Sequence, residues 1–460
     1  MIRRLATAAL LVSLTACNLQ PPYTRPAPAI PTSWPIGDPV LRASEASLAA
    51  LDHRAMFVDP RLHRVIAQAL ANNQDVRLAL ANIQAARGQY RVQRSALLPT
   101  VTAGADVAAR FTPGNNDSTT SSYSADIGAS AFEIDLFGRV RSLSTAALNT
   151  YFATESAARA TRLTLVADVA DAWFTLATDR TLLAIARDTV ASAQKSERLT
   201  KLRLDGGIAP RTDLRQAQTV RATAEADLAN LTAIVEQDRN ALDLLAGSCV
   251  ADADLPASIE SVEATAVPAA AGLDSSILLR RPDVLEAEFR LRGANAQIGA
   301  ARAAFFPRIS LTGLAGLASG SLTGLFSSNA FSAAITPSVS LPIFGSTNRG
   351  NLDFARAQRE GALATYQRTV QSAFRDVADA LARRATVDRQ AAAQLTLEAA
   401  ARDTATLTDA RYRGGVASFL ESLDAQRSLY SARRSLASTR LVRARSVVAL
   451  YRSLGGDPTI

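Results

Sequence analysis

Residues 411–430 read RYRGGVASFLESLDAQRSLY, and residues 203–222, which lie 208 positions earlier, read RLDGGIAPRTDLRQAQTVRA. In both stretches a Gly-Gly pair ends one helical pattern and a second helical pattern begins directly after it. The pentapeptide DVADA at 168–172 recurs at the same offset, as DVADA at 376–380. Self-similarity at a fixed period indicates repeated structural units.

Two further pairs of segments follow nearly the same offset. RSALLPTV at 94–101 corresponds to RAAFFPRI at 302–309, and LFG at 136–138 corresponds to IFG at 343–345. We therefore predict two structural repeats, whose seam lies in an inter-repeat segment. The predicted boundaries are residues 61–247 for the first repeat, 248–280 for the inter-repeat segment, 281–456 for the second repeat and 457–460 for a tail.

Each repeat is predicted to open with an amphipathic helix and to continue with a β-hairpin. The helices are expected over Arg61–Leu98 and Asp283–Phe306, because the prolines that follow them disfavour helix. Apolar and polar residues then alternate within 100–137 and 308–344, as a membrane β-barrel strand requires. The alternation changes phase near Phe132, which a bulge or an exit from the membrane would explain. A soluble hairpin packed on the helices is the alternative.

Long helices are predicted to follow each hairpin. Residues 139–205 contain neither Gly nor Pro, and a helix of that length would measure roughly 100 Å. A compact globule of this chain length would have a radius of gyration of only about 23 Å, so we expect an elongated protein. Return helices are expected over 211–246 and, after a second long helix at 352–413, over 416–454. A plain coiled-coil spacer is the alternative.

The N-terminus has the features of a secretory signal. Arg3 and Arg4 precede an apolar run that is too short to span a bilayer, and the run ends in LTAC at 14–17. LTAC resembles the bacterial lipobox, which predicts a signal peptide at 1–16 and acylation of Cys17; an ordinary signal with a chance cysteine is the alternative. Asn18 favours the outer membrane, by resemblance to known sorting signals. The proline-rich beginning of residues 17–60 predicts an extended tether.

The composition argues against several classes of function. The formal net charge is +8, but the basic residues are spread along the chain and aromatic residues make up only 5%, so nucleic acid is not an expected partner. Two histidines, His53 and His63, do not predict a metal site. No histidine lies near the acids Glu421 and Asp424 and no nucleophile motif is present, so we do not expect an enzyme. Cys249 would be the only cysteine besides Cys17, so no intrachain disulfide is expected.

The number of strands bears on the oligomeric state. One chain is predicted to supply four strands, and an open sheet edge in lipid would leave backbone groups without partners. Two chains would give eight strands, a barrel that its own side chains fill, whereas three chains would give twelve, which can surround a channel. If the strands form a barrel, a trimer is the smallest assembly that conducts.

At this point long segments of the chain resemble a known family, the TolC-like outer-membrane efflux proteins, and in particular their OprM/NodT-type lipoprotein branch. The resemblance is carried by the lipobox and by the following segments: PPYTRPAPAIP (21–31), FEIDLFGRVRSL (132–143), DLRQAQTV (213–220), LLRRPDVLEAEFRLRGANAQIGAARAAFFPRISL (278–311) and RYRGGVASFLESLDAQRSLYSA (411–432). It implies an α-helical and membrane β-barrel fold with two repeats, assembled as a homotrimer in which a 12-stranded barrel continues into an α-helical periplasmic tunnel.

The resemblance also implies a function. It implies a passive exit duct of a tripartite efflux pump, lipid-anchored in the outer membrane and extending into the periplasm, with no cofactor besides the lipid on Cys17. The implied partners are a periplasmic adaptor (membrane fusion protein), an inner-membrane transporter of the RND type and outer-membrane lipid, and the implied cargo is small molecules such as drugs. Heavy-metal efflux and type I protein secretion are alternatives within the family. A lipid-anchored structural protein without a pore is the alternative outside it.

Family members close the periplasmic end with acidic side chains just past the second Gly-Gly turn. The matching residues are Leu420, Asp424 and Arg427 in the OprM branch, and Glu421 and Asp424 in the TolC branch. The TolC branch also has an arginine where this chain has Ala417, so a tether centred on that arginine is not expected. The adaptor is implied to contact the tips of both helical hairpins, which contain Gly206, Gly207, Gly414 and Gly415.

Helical geometry allows these residues to form a periplasmic gate. Leu420, Asp424 and Arg427 are spaced i, i+4 and i+7 and therefore share one stripe of a helix. Threefold symmetry would bring three Asp424 carboxylates together, and these would repel one another without cations or raised pKa values. Arg427 is suitably placed as the partner, within one chain or across a subunit boundary. The alternative is an ordinary exposed pair worth less than about 1 kcal/mol.

The repeat supplies an internal comparison for this stripe. The positions 208 residues before Leu420, Glu421, Asp424 and Arg427 hold Thr212, Asp213, Gln216 and Thr219. The first repeat keeps one acid but lacks the Asp/Arg pair, so the gate is predicted in the second hairpin alone. The four aspartates of the two DVADA segments are expected on a solvated helix face, with the channel lumen as the alternative environment.

Overall fold

The computed structural model of the protein describes residues 19–27, 30, 53–113, 118–267 and 275–456. The predicted signal peptide, the acylation site Cys17, part of the predicted tether and the C-terminal tail lie outside the described residues. The described part contains nine α-helices, α1–α9, and four β-strands, β1–β4, together with several short 3₁₀ turns.

Except for α2 (Pro60–Asn72), each element of the first repeat has a counterpart in the second. The first repeat contains α2 (Pro60–Asn72), α3 (Gln74–Ser95), β1 (Val101–Thr112), β2 (Ser118–Glu133), α4 (Arg139–Asp205) and α5 (Arg211–Ala246). The second contains α7 (Pro282–Ala303), β3 (Arg308–Ser319), β4 (Phe331–Ser340), α8 (Thr347–Arg413) and α9 (Phe419–Leu454). Helix α1 (His53–Met56) precedes the first repeat, and α6 (Ile259–Val262) lies in the inter-repeat segment.

The helix lengths support the repeat. Helices α4 and α8 have 67 residues each, α5 and α9 have 36 each, and α3 and α7 have 22 each. Each helix of the second repeat begins and ends 208 positions after its counterpart. The long helix predicted over 139–205 is confirmed, and its counterpart begins at Thr347 rather than at the predicted residue 352.

The single helix predicted over Arg61–Leu98 is wrong, because the chain breaks at Asn73. Asn73 has an extended backbone (φ −61°, ψ 134°), and its side-chain Oδ1 accepts hydrogen bonds from the backbone N–H groups of Asp75 (2.8 Å) and Val76 (3.3 Å). An asparagine side chain that satisfies free N–H groups in this way caps the start of a helix. Helix α3 and its counterpart α7 also end four residues before the prolines that were expected to stop them.

The same connection closes each repeat. The Asn73 side-chain amide donates to the backbone oxygen of Leu245, at the end of α5 (3.0 Å). Arg281, 208 positions after Asn73, donates to the backbone oxygen of Ser453, at the end of α9 (2.7 Å). Both bonds satisfy a carbonyl that a helix end leaves free. The start of α3 is thus joined to the end of α5, and the start of α7 to the end of α9. The donor is an amide in the first repeat and a guanidinium in the second.

The chain divides into two compact units. We call the first the strand unit; its described residues are 19–27, 81–113, 118–156 and 285–368. We call the second the helix unit; its described residues are 30, 53–80, 157–267, 275–284 and 369–456. None of the described helices combines the length and the apolar character that a membrane span needs.

The strand unit contains one antiparallel sheet with the order β1-β2-β3-β4. Every residue of the two outer strands, β1 and β4, is exposed in the single chain. The phase change predicted near Phe132 is a bulge: the β2–β3 register shifts between Ala129 and Phe132, and Ala131 has a φ of +52°. The alternation of apolar and polar residues therefore predicted both the strands and the bulge between Ala129 and Phe132.

The helix unit holds the main hydrophobic core. Trp173 and Phe174 of α4 are fully buried with Leu62 and Ile66 of α2 and with Tyr451 of α9. The Trp173 indole N–H donates to the backbone oxygen of Asp254 (3.0 Å), so its polar edge is satisfied. The inter-repeat segment therefore takes part in the core and is not a free linker.

The Asn73 connection can be tested by substitution. Asn73→Ala removes the cap of α3 and the bond to Leu245, and we expect it to lower the free energy of unfolding by about 1–2 kcal/mol. Among the described residues, the side chain of the neighbouring exposed Gln74 donates one hydrogen bond, to the Asn72 backbone oxygen (3.2 Å), so Gln74→Ala is a matched control with an expected effect below about 0.5 kcal/mol. Denaturant unfolding of the detergent-solubilised protein measures both. Equal effects of the two substitutions would contradict a capping role for Asn73.

Candidate functional site

The hairpin tips are two glycine turns of the same conformation. Gly207 and Gly415 have φ values of +75° and +77°, a region that residues with a side chain disfavour. The Ile208 N–H donates to the backbone oxygen of Arg203 (2.8 Å), and the Val416 N–H donates to that of Arg411 (2.9 Å). These bonds satisfy the last carbonyls of α4 and α8, as in a Schellman motif. The predicted tip glycines therefore do form tight, equivalent turns.

The two tips contact each other within the helix unit. The Arg203 guanidinium donates to the Tyr412 backbone oxygen (2.9 Å) and lies 4.7 Å from the centre of the Tyr412 ring. Tyr412 packs with Phe419 and Leu423, which are buried, and with Ala217 of α5. The α4–α5 hairpin and the α8–α9 hairpin are therefore joined by an apolar cluster and a cation–π contact. Separating the tips would expose this cluster.

The four predicted gate residues lie on one exposed face of α9. Leu420 is 62% exposed, and Glu421, Asp424 and Arg427 are exposed as well. The opposite face carries the buried Phe419 and Leu423, which fixes the rotation of the helix. The stripe expected from the spacing is therefore present. Within the described residues of this single chain, however, Asp424 and Arg427 form no ion pair with each other. The ion pair between Asp424 and Arg427 that was anticipated within one chain is therefore not formed.

A cavity of about 220 Å³ lies beside this stripe, between α4, α5 and α9. The cavity wall is largely apolar and includes Ala193, Val220 and Leu423. Arg427 also lines the cavity. At the same cavity the Tyr430 hydroxyl donates to Asp227 of α5 (3.0 Å). Burial raises the pKa of Tyr430, and the hydrogen bond to Asp227 adds to the effect. Sequence patterns did not identify this link, because nothing in the sequence aligns α5 with α9.

Three of the four aspartates of the DVADA segments are half-buried and Asp379 is exposed, so the predicted solvated helix face is only partly correct. Asp171 receives two hydrogen bonds from the Arg445 guanidinium of α9 (2.7 and 3.0 Å). Asp168 pairs with Arg452 of α9, and Asp376 pairs with Arg375 (2.7 Å). The aspartates of the first repeat therefore tie α4 to α9, whereas Asp376 makes its shortest ion pair within its own helix.

Other reactive groups do not form a site. Among the described residues, no group of three or more His, Cys, Asp or Glu side chains is arranged to hold a metal ion. The His53 and His63 rings lie 6.3 Å apart, centre to centre. Cys249 is exposed, and its thiol donates to Asp243 (3.3 Å), a hydrogen bond that raises the pKa of the thiol.

Comparison with known proteins agrees with this architecture. The model of the outer membrane efflux protein family matches the chain twice, at residues 65–248 and 273–456. The toluene efflux pump outer membrane protein TtgC of Pseudomonas putida is 41% identical over 452 residues, which cover 96% of this chain and 93% of that protein. The outer membrane protein OprJ of Pseudomonas aeruginosa is 40% identical over 457 residues, 98% of this chain and 95% of OprJ.

Solved structures show the same fold. The crystal structure of the open state of the MtrE outer membrane channel of Neisseria gonorrhoeae superposes with a TM-score of 0.87 at 36% identity, covering 96% of this chain and 98% of MtrE. The two matched ranges coincide with the two repeats described above. The chain belongs to the outer membrane efflux protein family, as its sequence motifs indicated, and its outer-membrane location follows.

The tip contact can be tested with two leucines of α9. Leu423 is 6% exposed and Leu420 is 62% exposed. Leu423→Ala should lower the free energy of local opening at the tips by about 2–5 kcal/mol, because it removes a buried side chain. Leu420→Ala should change it by less than about 0.5 kcal/mol. Amide hydrogen exchange of residues 199–220 and 411–425 measures the opening, and equal effects of the two variants would contradict the packing described.

Proposed function

We propose that this protein is the exit duct of a tripartite efflux pump, acting as a homotrimer that conducts solutes passively from the periplasm across the outer membrane. The observation that carries the proposal is the exposed four-stranded sheet, whose outer strands β1 and β4 have one unpaired edge each. Lipid offers no hydrogen bonds, so these edges must pair with other chains. Three chains give twelve strands, enough to surround a channel, whereas two give a filled barrel.

The helical part supports a duct rather than an enzyme. The chain supplies two pairs of long helices, and each pair ends in a tight glycine turn. Repeated around a threefold axis, these pairs would form a tunnel that continues the barrel. No chemistry is needed in such a conduit, and the energy for transport would enter at the inner membrane.

The proposed partners and cargo follow from the relatives. TtgC and SrpC of Pseudomonas putida are named toluene and solvent efflux proteins, and ArpC is named an antibiotic efflux protein. We infer that this chain likewise exports small apolar molecules and drugs. Its periplasmic adaptor would contact the turns at Gly206–Gly207 and Gly414–Gly415, and the transporter in the inner membrane would be of the RND type.

The exposed stripe of α9 is the proposed periplasmic gate. Leu420, Glu421, Asp424 and Arg427 all face away from the tip cluster. In a trimer, three such stripes would converge, and Asp424 of one subunit would pair with Arg427 of the next. The absence of an intrachain pair, among the described residues, leaves both side chains available for that contact. Such a ring would narrow the tunnel and disfavour anions.

The gate is tested by single-channel recording of the purified protein in planar bilayers. The wild-type trimer should show small openings, and Asp424→Ala combined with Arg427→Ala should increase the conductance several-fold, because the ring is removed. Gln216→Ala combined with Thr219→Ala changes the equivalent positions of the first repeat and is the matched control, which should leave the conductance unchanged. If neither wild type nor gate variant conducts, the duct is excluded, and a structural protein without a pore becomes the better description.

Lipid anchoring at Cys17 is also proposed, and the path of residues 19–27 supports it. Leu19 accepts a hydrogen bond from Arg302 (3.4 Å), near the end of α7 that precedes β3. Further along, Pro21 accepts one from Asn295 (2.8 Å), and Arg25 pairs with the buried Glu288 (2.5 Å). The segment thus runs antiparallel to α7, and its upstream end lies on the strand side. An acyl chain two residues before Leu19 would be close to the membrane.

Glu288 is the firmest attachment of this segment. Burial alone would raise the pKa of Glu288, but hydrogen bonds from Arg25 and Arg292 hold it below its ordinary value. The glutamate therefore stays charged and binds two guanidinium groups. Gly299 permits the close approach, because a Cβ there would lie 2.8 Å from the Cα of Gln20.

The anchor is tested by intact mass spectrometry of the protein purified from membranes. Wild type should carry the mass of a lipid on a chain that begins at Cys17, and Cys17→Ser should lose both the lipid and the cleavage at this site. Cys249→Ser removes the only other cysteine and is the matched control, which should retain the lipid. A wild-type protein that is cleaved elsewhere, or that lacks the added mass of the lipid, would refute acylation of Cys17. It would not contradict the proposed duct function.

A further inference from the structure

Helices α4 and α5 pack along a seam of buried residues at spacings of three and four, as in a coiled coil. On α4 this seam contains Leu176, Leu183, Ala186, Val190 and Ala193, and on α5 it contains Leu231, Val235, Leu242 and Ala246. We call it the α4–α5 seam. The spacing places Asp179 in the α4 series, between Leu176 and Leu183. It places Asp238 in the α5 series, between Val235 and Leu242. Both apolar series are thus interrupted by an acid.

The two acids face each other across the seam. The Asp179 carboxyl is within hydrogen-bonding reach of the Asp238 carboxyl. The Oδ2 atom of Asp238 is excluded from solvent and has no hydrogen-bond partner among the described residues. Two ionised carboxylates have only acceptors, so this contact cannot be a hydrogen bond unless one of them carries a proton. One shared proton would satisfy the buried oxygen.

Among the described residues, the arginines near the pair are bonded to other groups. Arg445 of α9 lowers the pKa of Asp238, but its guanidinium is already bonded to Asp171 through two hydrogen bonds. The arginines adjacent to the acids in sequence also have other partners: Arg180 donates to the Pro256 backbone oxygen (2.7 Å), and Arg239 pairs with Asp252 (2.6 Å). A shared proton would therefore be needed to remove one of the two negative charges of the pair.

The electrostatics of the site agree with that requirement. Burial, together with the neighbouring Asp179 carboxyl, raises the pKa of Asp238 to about 7, and Arg445 opposes the shift only in part. The folded protein therefore binds a proton at a pH where an unfolded chain would not. Stabilisation from this proton is complete below the ordinary pKa of an aspartate and is lost as the pH rises through about 7.

The second repeat provides an internal control. The positions 208 residues after Asp179 and Asp238 hold Val387 and Ser446, which are 0% and 3% exposed. Ser446 donates to the backbone oxygen of Arg443 (2.6 Å) and is thus satisfied without a partner across the seam. The two equivalent seam positions of α8 and α9 thus hold no ionisable group, and the adjacent Asp388 is paired with Arg443 of α9 (2.8 Å). The carboxyl pair is therefore not required by the repeat architecture.

We propose that Asp179 and Asp238 form a proton-binding layer in the α4–α5 seam, so that this hairpin is tightly paired while one proton is shared and loosens when the proton is lost. The ligand is a proton, and its binding affects the α4–α5 hairpin. Loss of the proton leaves two carboxylates in a partly buried seam, where they repel each other. The α8–α9 hairpin, which has Val387 and Ser446 instead, would not respond. The proposal is independent of the gate and of the proposed transport function.

Amide hydrogen exchange of the full-length protein in detergent micelles tests the layer. After correction for the chemical exchange rate, the protection of residues 176–186 and 235–245 should fall several-fold between about pH 6 and about pH 8. Residues 384–394 and 443–453, at the equivalent positions of the second repeat, should keep their protection. Equal pH dependence of the two hairpins would overturn the proposal.

Two variants separate the shared proton from a general effect of pH. Asp238→Asn should keep the seam protected at about pH 8, because its amide N–H donates to Asp179 without a titrating proton. Asp179→Val combined with Asp238→Ser installs the residues of the second repeat and should also abolish the pH dependence. Infrared spectroscopy gives a second readout: wild type at about pH 6 should show a protonated carboxyl band that Asp238→Asn lacks. A wild-type spectrum without this band, or an Asp238→Asn variant that loses protection as wild type does, would refute the shared proton.

Discussion

The backbone groups along the outer edges of β1 and β4 are the constraint on which the rest of this architecture depends. A single chain leaves one edge of each outer strand unpaired, and both strands are fully exposed. Water can satisfy such edges, but lipid cannot. In the proposed trimer, the outer strands of neighbouring copies pair and so complete the sheet within the outer membrane. The same symmetry would bring the long helices around a common axis.

The two repeats of this chain share one architecture, but their hairpins differ in chemistry. The turns, the helix lengths and the bond that joins each first helix to its return helix are shared, even where Asn73 is replaced by Arg281. The stripe with Asp424 and Arg427 occurs in the second hairpin only, and the Asp179–Asp238 pair occurs in the first only. The proposed gate and the proposed proton site therefore lie on different hairpins. The contacts of Arg203, Tyr412 and Tyr430 connect these hairpins at the tips.

Much of this fold could be predicted from the sequence, because its signals are local and occur twice. Long stretches without Gly or Pro predicted the helices, and alternating apolar and polar residues predicted the strands. A change of phase near Phe132 predicted the bulge at Ala129–Phe132. The break at Asn73 was missed, since an asparagine within an amphipathic pattern does not by itself end a helix. Its side-chain amide also donates to the distant carbonyl of Leu245, a contact that no local pattern contains.

The side-chain links between helices could not be predicted in the same way. The pairing of Tyr430 with Asp227 depends on the register between α5 and α9, which no local pattern contains. The stripe of Leu420, Asp424 and Arg427 follows from helical spacing, whereas its role as a gate rests on the family resemblance. The acids at 179 and 238 did leave a signal, because each interrupts an apolar series at coiled-coil spacing. Only the structure brings the two interruptions to the same level.

Disulfide cross-linking between the outer strands tests whether three chains close the sheet. A cysteine at Ala105 of β1 would be combined in turn with one at each position of β4, in a Cys249→Ser background, and oxidised in native membranes. We expect at least one pair with facing residues to yield a covalent species of three chains on a denaturing gel, and neither single cysteine to do so. A covalent species that stops at two chains, or no cross-link at any β4 position, would contradict it.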